Sequence, residues 1–238
     1  MWNLLTLSKP NSKDDRKLVT AIKTIAGFTP SNLSLYKLAT LHTSKAKEIA
    51  GFRESNERLE YLGDAILGAA VADYLFKKYP FKDEGFLTEI RSRIVNRESL
   101  NNLARKIGID SIVQYDHRNT QLQKVILGNT LEALVGAVYL DKGYLRCKKF
   151  VIDKLIQPYF DLEVVVNSDT NHKSKVIEWS QRNGKEIKFE IKETKNGRGR
   201  EFTAQVHLGG EPFGMGFGLT KKKAEQDASE KTCAMLKI

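Results

Sequence analysis

The chain has 238 residues, room for one large domain or two modest ones. With 29% charged and 41% hydrophobic residues and a mean hydropathy of -0.40, it fits neither the disordered nor the membrane class. A surplus of 39 Lys and Arg over 29 Asp and Glu gives a net charge of +10, which favours polyanionic partners such as nucleic acid.

The apolar stretch Ala65–Ala72 falls far short of the ~18 residues of a spanning helix, and Trp2–Leu7 is too short for a signal peptide. A cytoplasmic protein with no membrane partner is expected. Cys147 and Cys233 lie far apart, without a Cys-x-x-Cys or His-x-x-x-His pair, so a reduced compartment fits and structural zinc does not.

Up to about Phe160 the apolar residues recur at three- and four-residue spacing, as in Leu59, Leu62, Ile66 and Ala70, then Ile90 and Ile94, then Leu131, Leu134, Val135 and Val138. Pro80, Gly85, Gly108 and the Asp141-Lys142-Gly143 turn divide the pattern into helices of ordinary length. Residues 1–162 are therefore predicted to form an all-α domain. The polar, turn-rich VNSDTNH segment (Val166–His172) marks a linker, placed at 163–170, before a second domain over 171–238. That domain carries 14 Lys and Arg against 9 Asp and Glu, a surplus of 5 in 68 residues, and the other 170 residues share the same surplus.

Within 171–238, a helix over Ser174–Gln181 precedes two alternating segments, one with Ile187, Phe189 and Ile191 and one with Phe202, Ala204, Val206 and Leu208. Gly209-Gly210 signals a hairpin, Pro212–Phe217 a third strand, and Thr220 the cap of a last helix with Ala224, Ala228 and Met235 on one face. The fold class is an α+β domain of order α-β-β-β-α. No aromatic pair suggests a single-strand platform.

The segment NERLEYLGD (Asn56–Asp64) carries the most chemistry. At the helical pitch, Glu57, Glu60 and Asp64 fall within about 60° of one another, opposite Leu59, Leu62, Ile66 and Ala70. Like charges at this spacing destabilise a helix by roughly 0.2 to 0.5 kcal/mol per pair. An arbitrary helix with this pattern is a solvated acidic face, but the apolar run that follows puts these acids at the edge of a buried helix. A bound cation would reverse the sign of their interaction. Oxygen-only ligands suit magnesium, with manganese as a substitute, and either ion activates water and neutralises phosphate charge. Asn129 and Glu132, three apart on a second largely apolar helix, could complete such a site.

The segments NERLEYLGDAIL (Asn56–Leu67) and GNTLEALVGAVYLDKGY (Gly128–Tyr144) resemble the two acidic motifs of the ribonuclease III family. Leu41-His42-Thr43-Ser44 is similar to the segment before the first motif, and Asp83-Glu84-Gly85 to the family's short acidic loop. The resemblance, to the bacterial arrangement of a nuclease domain followed by a double-stranded-RNA-binding domain, covers almost the whole chain. It implies a homodimeric endoribonuclease holding an RNA duplex in a shared cleft. It further implies 5'-phosphate and 3'-hydroxyl products, precursors of structural RNA and messenger RNA as substrates, and no small-molecule cofactor. By position, Glu60, Asp64 and Glu132 match the metal-binding acids, and Glu57 and Glu84 match accessory acids. Asn129 departs from the pattern, standing where the family usually has aspartate. An amide oxygen can coordinate magnesium but brings no charge. The alternative is therefore a catalytically impaired or silent dimeric scaffold that binds duplex RNA.

In the second domain, Lys221, Lys222 and Lys223 fall in the first turn of the last helix, where the helix dipole disfavours cations unless an anion is bound. GFGLTKKKAE resembles the family's phosphate-clamping motif. Arg198 and Arg200, between the first two strands, are placed to reach a minor groove and its 2'-hydroxyls. Ser174 and Glu178 match minor-groove contact positions, whereas Ile177 stands where a polar residue is common.

Overall fold

The computed structural model describes residues 12–46, 48–49, 52–116, 118, 125–167, 172–196 and 199–238; Trp2–Leu7 and Arg198 lie outside the described residues. The chain divides into two compact units, Met1–Val166 and Asn167–Ile238.

The first unit is built on α6 (Ile126–Lys142), whose apolar residues surround the helix and are buried on nearly every side. The 22-residue α3 (Glu57–Lys78) packs along it, and α5 (Arg97–Lys106) lies on another flank. α1 (Lys13–Ala26), α2 (Leu33–Ala39), α4 (Glu84–Val95), α7 (Tyr144–Phe150) and α8 (Leu162–Asn167) complete the unit, α7 continuing into a wide turn over Val151–Ile156. Ile90, Ile94, Leu131, Leu134, Val135 and Val138 are all buried, as their spacing predicts.

Four details differ from the reading of the sequence. A ladder of two-residue strands, β1 (Glu48–Ile49) and β2 (Phe52–Arg53), interrupts the otherwise helical unit. Asp141 and Lys142 form the last turn of α6, which stops only at Gly143 with φ +77°. The Asp141 carboxylate is held inside by accepting from the Ser31 and Asn32 amides, each at 3.0 Å, and from the Tyr36 hydroxyl at 2.8 Å. The first half of the expected linker is helical, because Val165 and Val166 pack on the core and Arg93 Nη1 donates to the Val165 carbonyl at 2.7 Å. Finally, Leu62 and Ile66 are only half-buried, and the core face of α3 runs through Leu59, Gly63, Leu67, Val71 and Leu75. Glu60 lies near the azimuth of Leu67 and Val71, about 20° from each. The acidic face therefore leads into the core face instead of opposing it.

The second unit has the expected order: α9 (His172–Arg182), β3 (Ile187–Asn196), β4 (Gly199–Leu208), β5 (Glu211–Gly218) and α10 (Lys221–Leu236). The strands form an antiparallel sheet in the order β3-β4-β5. Leu208 pairs with Glu211 across Gly209 and Gly210, whose φ values of 59° and 87° are those of a tight hairpin turn. α10 lies directly on β5. A Cβ on Gly214 would sit 2.3 Å from the Ala228 carbonyl oxygen, and one on Gly216 would sit 2.1 Å from the Ala228 nitrogen. This contact buries Ala224 and Ala228 completely, while Met235, on the same helix face, is exposed. No described helix is long and apolar enough to cross a membrane.

Candidate active site and RNA-binding surface

The carboxylates of the two acidic segments meet because α3 and α6 touch backbone to backbone. A Cβ on Gly63 would sit 1.7 Å from the Glu132 carbonyl oxygen, and one on Gly136 would sit 2.4 Å from the Leu59 carbonyl oxygen. Glycine inside a helix costs roughly 0.5–1 kcal/mol relative to alanine. Here two glycines allow an approach no other residue permits, and each sits within four residues of the acids it brings together. The result is a cavity of about 180 Å³ lined by Glu60, Arg97, Leu100, Gly128, Asn129 and Glu132.

The electrostatics of this cavity follow from burial and crowding. The Glu132 carboxyl is pushed up to about 7, mainly by desolvation and then by the charges of Asp64 and Glu60, with Arg97 opposing. Burial also raises the Glu60 carboxyl. A hydrogen bond with the Asn129 side chain and the charge of Arg97 hold it down, whereas Glu57 and Asp64 push it further up. Both shifts describe acids that lack enough positive charge nearby.

The structure thus brings Glu60, Asp64, Asn129 and Glu132 together, with Asp64 on the exposed side. Glu57 stands next to this group, exposed, and accepts from the Ser55 hydroxyl at 3.3 Å. Glu84 does not line the cavity; it begins α4, exposed, and accepts from the Thr88 hydroxyl at 3.3 Å. A larger cleft of about 940 Å³ runs between α1, α2 and the Ser111–Gln114 segment. No member of the carboxylate group lines it, so volume alone does not mark the chemistry here.

Spacing did not reveal Arg97, which lines the cavity, or Asn101, which holds the Arg97 backbone. The buried Asn101 donates through Nδ2 to the Arg97 carbonyl at 2.7 Å and accepts through Oδ1 from the Gly128 amide at 2.9 Å. It thereby ties the start of α5 to the turn of α6 that presents Asn129. The sequence does offer a signal for α5. Asn96 followed by Arg-Glu-Ser is a helix cap, and the Asn96 side chain accepts from the Ser99 amide at 2.9 Å.

Among the described residues, no three His, Cys, Asp or Glu side chains form a metal cluster by themselves. The donor set nonetheless fits magnesium. All its donors are oxygens, its acids repel one another, and magnesium characteristically takes one or two carboxylates and keeps several waters.

In the second unit, Thr220 caps α10 by accepting from the Lys223 amide at 3.2 Å, so Lys221, Lys222 and Lys223 are indeed its first turn, and all three are exposed. The amides of Lys221 and Lys222 have no carbonyl partner within the helix. An ion pair of 2.8 Å between Lys173 and Glu225 holds the start of α9 beside the start of α10. Ser174 and Glu178 occupy the side of α9 opposite the buried Val176. Arg200, at the first residues of β4, is exposed and lies 3.6 Å from Glu193.

The chain matches the ribonuclease-III-like family over residues 32–159 and the double-stranded RNA binding motif over residues 172–236. It is 42% identical over 221 residues to ribonuclease 3 of Bacteroides thetaiotaomicron, covering 92% of this chain and 71% of that one. It is 43% identical over 215 residues to ribonuclease 3 of Azobacteroides pseudotrichonymphae, covering 89% of this chain and 82% of that one. The nuclease domain of ribonuclease III from Campylobacter jejuni, described as flexible in a region involved in dimer formation, aligns with a TM-score of 0.54 at 29% identity, covering 60% of this chain and 98% of that domain. With two glycine-joined acidic helices followed by an α-β-β-β-α unit, and with relatives of this extent, the chain belongs to the ribonuclease III family.

Proposed function

We propose that the chain is a magnesium-dependent endoribonuclease that hydrolyses phosphodiester bonds of double-stranded RNA as a homodimer. Manganese would serve as a substitute metal. The products would be 5'-phosphate and 3'-hydroxyl ends, and the substrates precursors of structural RNA in the cytoplasm. The observation that carries this reading is the convergence of Glu60, Asp64, Asn129 and Glu132 across the Gly63–Gly136 contact, in a chain that also bears a basic helix start on its second unit.

Glu60, Asp64 and Glu132, with the Asn129 amide oxygen as a neutral donor, would hold the metal. When bound, magnesium supplies Lewis acidity toward the phosphate and activates water. The protein's own contribution is placement and charge. Glu132 and Glu60 are half-buried, so their negative charge acts in a medium that screens it weakly. Glu57, beside them and exposed, would add to the field, and Glu84 would act from outside the cavity. Lys221, Lys222 and Lys223 would bind phosphates of a duplex without reading its sequence, while Ser174, Glu178, Arg198 and Arg200 would face its minor groove.

A second reading, motivated by Asn129, is a silent dimer that binds duplex RNA. Cleavage of a long perfect duplex, titrated with magnesium for the wild type and for Asn129→Asp at matched RNA occupancy, separates the two. Activity in both, with a lower magnesium midpoint for the aspartate variant, supports the nuclease. Silence in both with binding intact supports the scaffold.

A further inference from the structure

Arg97 lines the same cavity as Glu60, Asn129 and Glu132, and its charge acts on both glutamates. The structural explanations for an arginine at this place are weak. As the first residue of α5 it stands at the positive end of a helix dipole, which disfavours a cation. It is exposed, and among the described residues its guanidinium forms no ion pair or hydrogen bond with the acids it faces. Its backbone, in contrast, is fixed, since Asn101 bonds the Arg97 carbonyl and the Gly128 amide at once.

The charge of Arg97 acts on Glu60 and Glu132, and that of Asp64 acts on the same two glutamates; three carboxylates and one guanidinium leave a formal charge of about −2 that one divalent cation balances. Once that cation is present, Arg97 is no longer needed to neutralise acids, and two cations beside one another repel. The guanidinium then requires an anion, and in a site that handles phosphodiesters the available anion is the phosphate itself. Arginine suits this task because its planar fork of donors matches phosphate oxygens.

We propose that Arg97 grips a non-bridging oxygen of the RNA phosphate seated at the carboxylate cavity, supplying positive charge on the side of the site where Asn129 brings no negative charge to hold a cation. This inference rests on the nuclease reading above. It gives Arg97 two effects of opposite sign: the guanidinium weakens metal binding to the RNA-free protein and strengthens the site's hold on RNA phosphate during cleavage.

The test uses the full chain with Arg97→Gln and Arg97→Lys. Calorimetry of magnesium binding without RNA should give severalfold tighter binding for the glutamine variant and little change for lysine. Single-turnover cleavage at saturating magnesium should fall about 30-fold for glutamine and be partly restored by lysine, as expected for a charge-assisted contact. Duplex binding with calcium as the divalent ion should lose roughly one unit of salt slope per site in the glutamine variant. Cleavage by the glutamine variant at the wild-type rate, or weaker magnesium binding together with slower cleavage, would overturn the proposal and leave Arg97 a structural residue. If the wild type itself fails to cleave at any magnesium concentration, the nuclease reading fails separately. The salt slope then decides for Arg97: a drop supports the phosphate contact and an unchanged slope overturns it.

Discussion

The acids of α3 and α6 and the lysines of α10 are both clusters of like charge on helices, and the two regions place them in opposite environments. Glu60 and Glu132 are half-buried at a contact between helix backbones, and burial is the largest cause of both their shifts. Lys221, Lys222 and Lys223 stand exposed on a capped helix end, with no acidic partner among the described residues. Repulsion among the lysines is screened within about 8 to 10 Å by salt, whereas repulsion among the half-buried acids is screened much less. The contrast fits the two tasks proposed for them. Chemistry needs charge held where water cannot screen it, and binding a long polyanion needs charge that many phosphates can reach.

The largest effect expected from breaking this contrast is at Glu132. Replacement by glutamine keeps the shape and removes the charge, and cleavage should fall about 10³-fold, as for loss of several kcal/mol of transition-state stabilisation. Duplex affinity should stay within about threefold, because binding rests mainly on the second unit. Relief of repulsion should also raise the melting temperature of the metal-free variant. Gel shifts beside a cleavage time course and a thermal melt check all three. A variant that melts lower than the wild type without metal would make Glu132 a structural residue.

Next in size is the helix contact itself. Gly63→Ala puts a methyl group where the Glu132 carbonyl oxygen stands, so α3 and α6 must separate, at a cost of about 3 kcal/mol or more. Among the described residues beyond its own stretch of helix, Gly68, five residues along α3, has nothing within 4 Å of its would-be Cβ. Gly68→Ala should therefore stabilise by roughly 0.5–1 kcal/mol. Denaturant melts of the two variants should move in opposite directions, and a matched loss in both would mean that the close approach is not what these glycines provide.

These glycines mark the limit of what the sequence conveys. The acids are legible because their spacing repeats at the helical pitch and opposes ordinary helix stability. The strands of the second unit are legible because Ile187, Phe189 and Ile191, then Ala204, Val206 and Leu208, alternate with polar residues. What pairs α3 with α6 is a contact between backbones, and a hydrophobic pattern carries no record of it. Gly63 and Gly136 stand inside helices where glycine is unfavourable, which is the available clue. Asp141 misleads for a related reason. Asp-Lys-Gly is a turn signal, and Gly143 does end the helix, but only the third dimension brings Ser31, Asn32 and Tyr36 to the carboxylate. Arg97 is invisible to periodicity because it is exposed and belongs to neither acidic segment.

A double variant probes the exposed cluster. Lys221→Ala with Lys222→Ala should weaken duplex RNA binding about tenfold, equally for all sequences, and flatten the salt slope by roughly two units. The segment 171–238 alone should reproduce that loss and prefer duplex RNA over duplex DNA. Equal affinity for the two duplexes, or an unchanged slope, would return the lysines to ordinary surface charge.

The smallest effect separates the two regions by pH. Glu132 has its folded-state carboxyl pushed up to about 7, from an ordinary value of 4.5, so the folded protein holds this proton more tightly than the unfolded chain. Below 4.5 both states are protonated and no penalty exists. As pH rises from 4.5 through about 7 the unfolded chain ionises first, and metal-free stability falls through this window. Allowing for solvent screening of a half-buried group, the loss should be on the order of 1 kcal/mol. Other titrating groups contribute their own slopes, so the quantity to measure is the difference between the wild type and Glu132→Gln, by thermal melts from pH 4 to 8. With saturating magnesium the ionised carboxylate gains a partner, and the difference should reverse, favouring the wild type most strongly above pH 7. Lys221→Ala with Lys222→Ala should leave this difference curve unchanged, because exposed lysines have no part in the carboxylate's burial. A difference curve flat with pH, or unmoved by magnesium, would mean that Glu132 is solvated in the folded protein and that the crowding among the α3 and α6 acids is relieved without a metal.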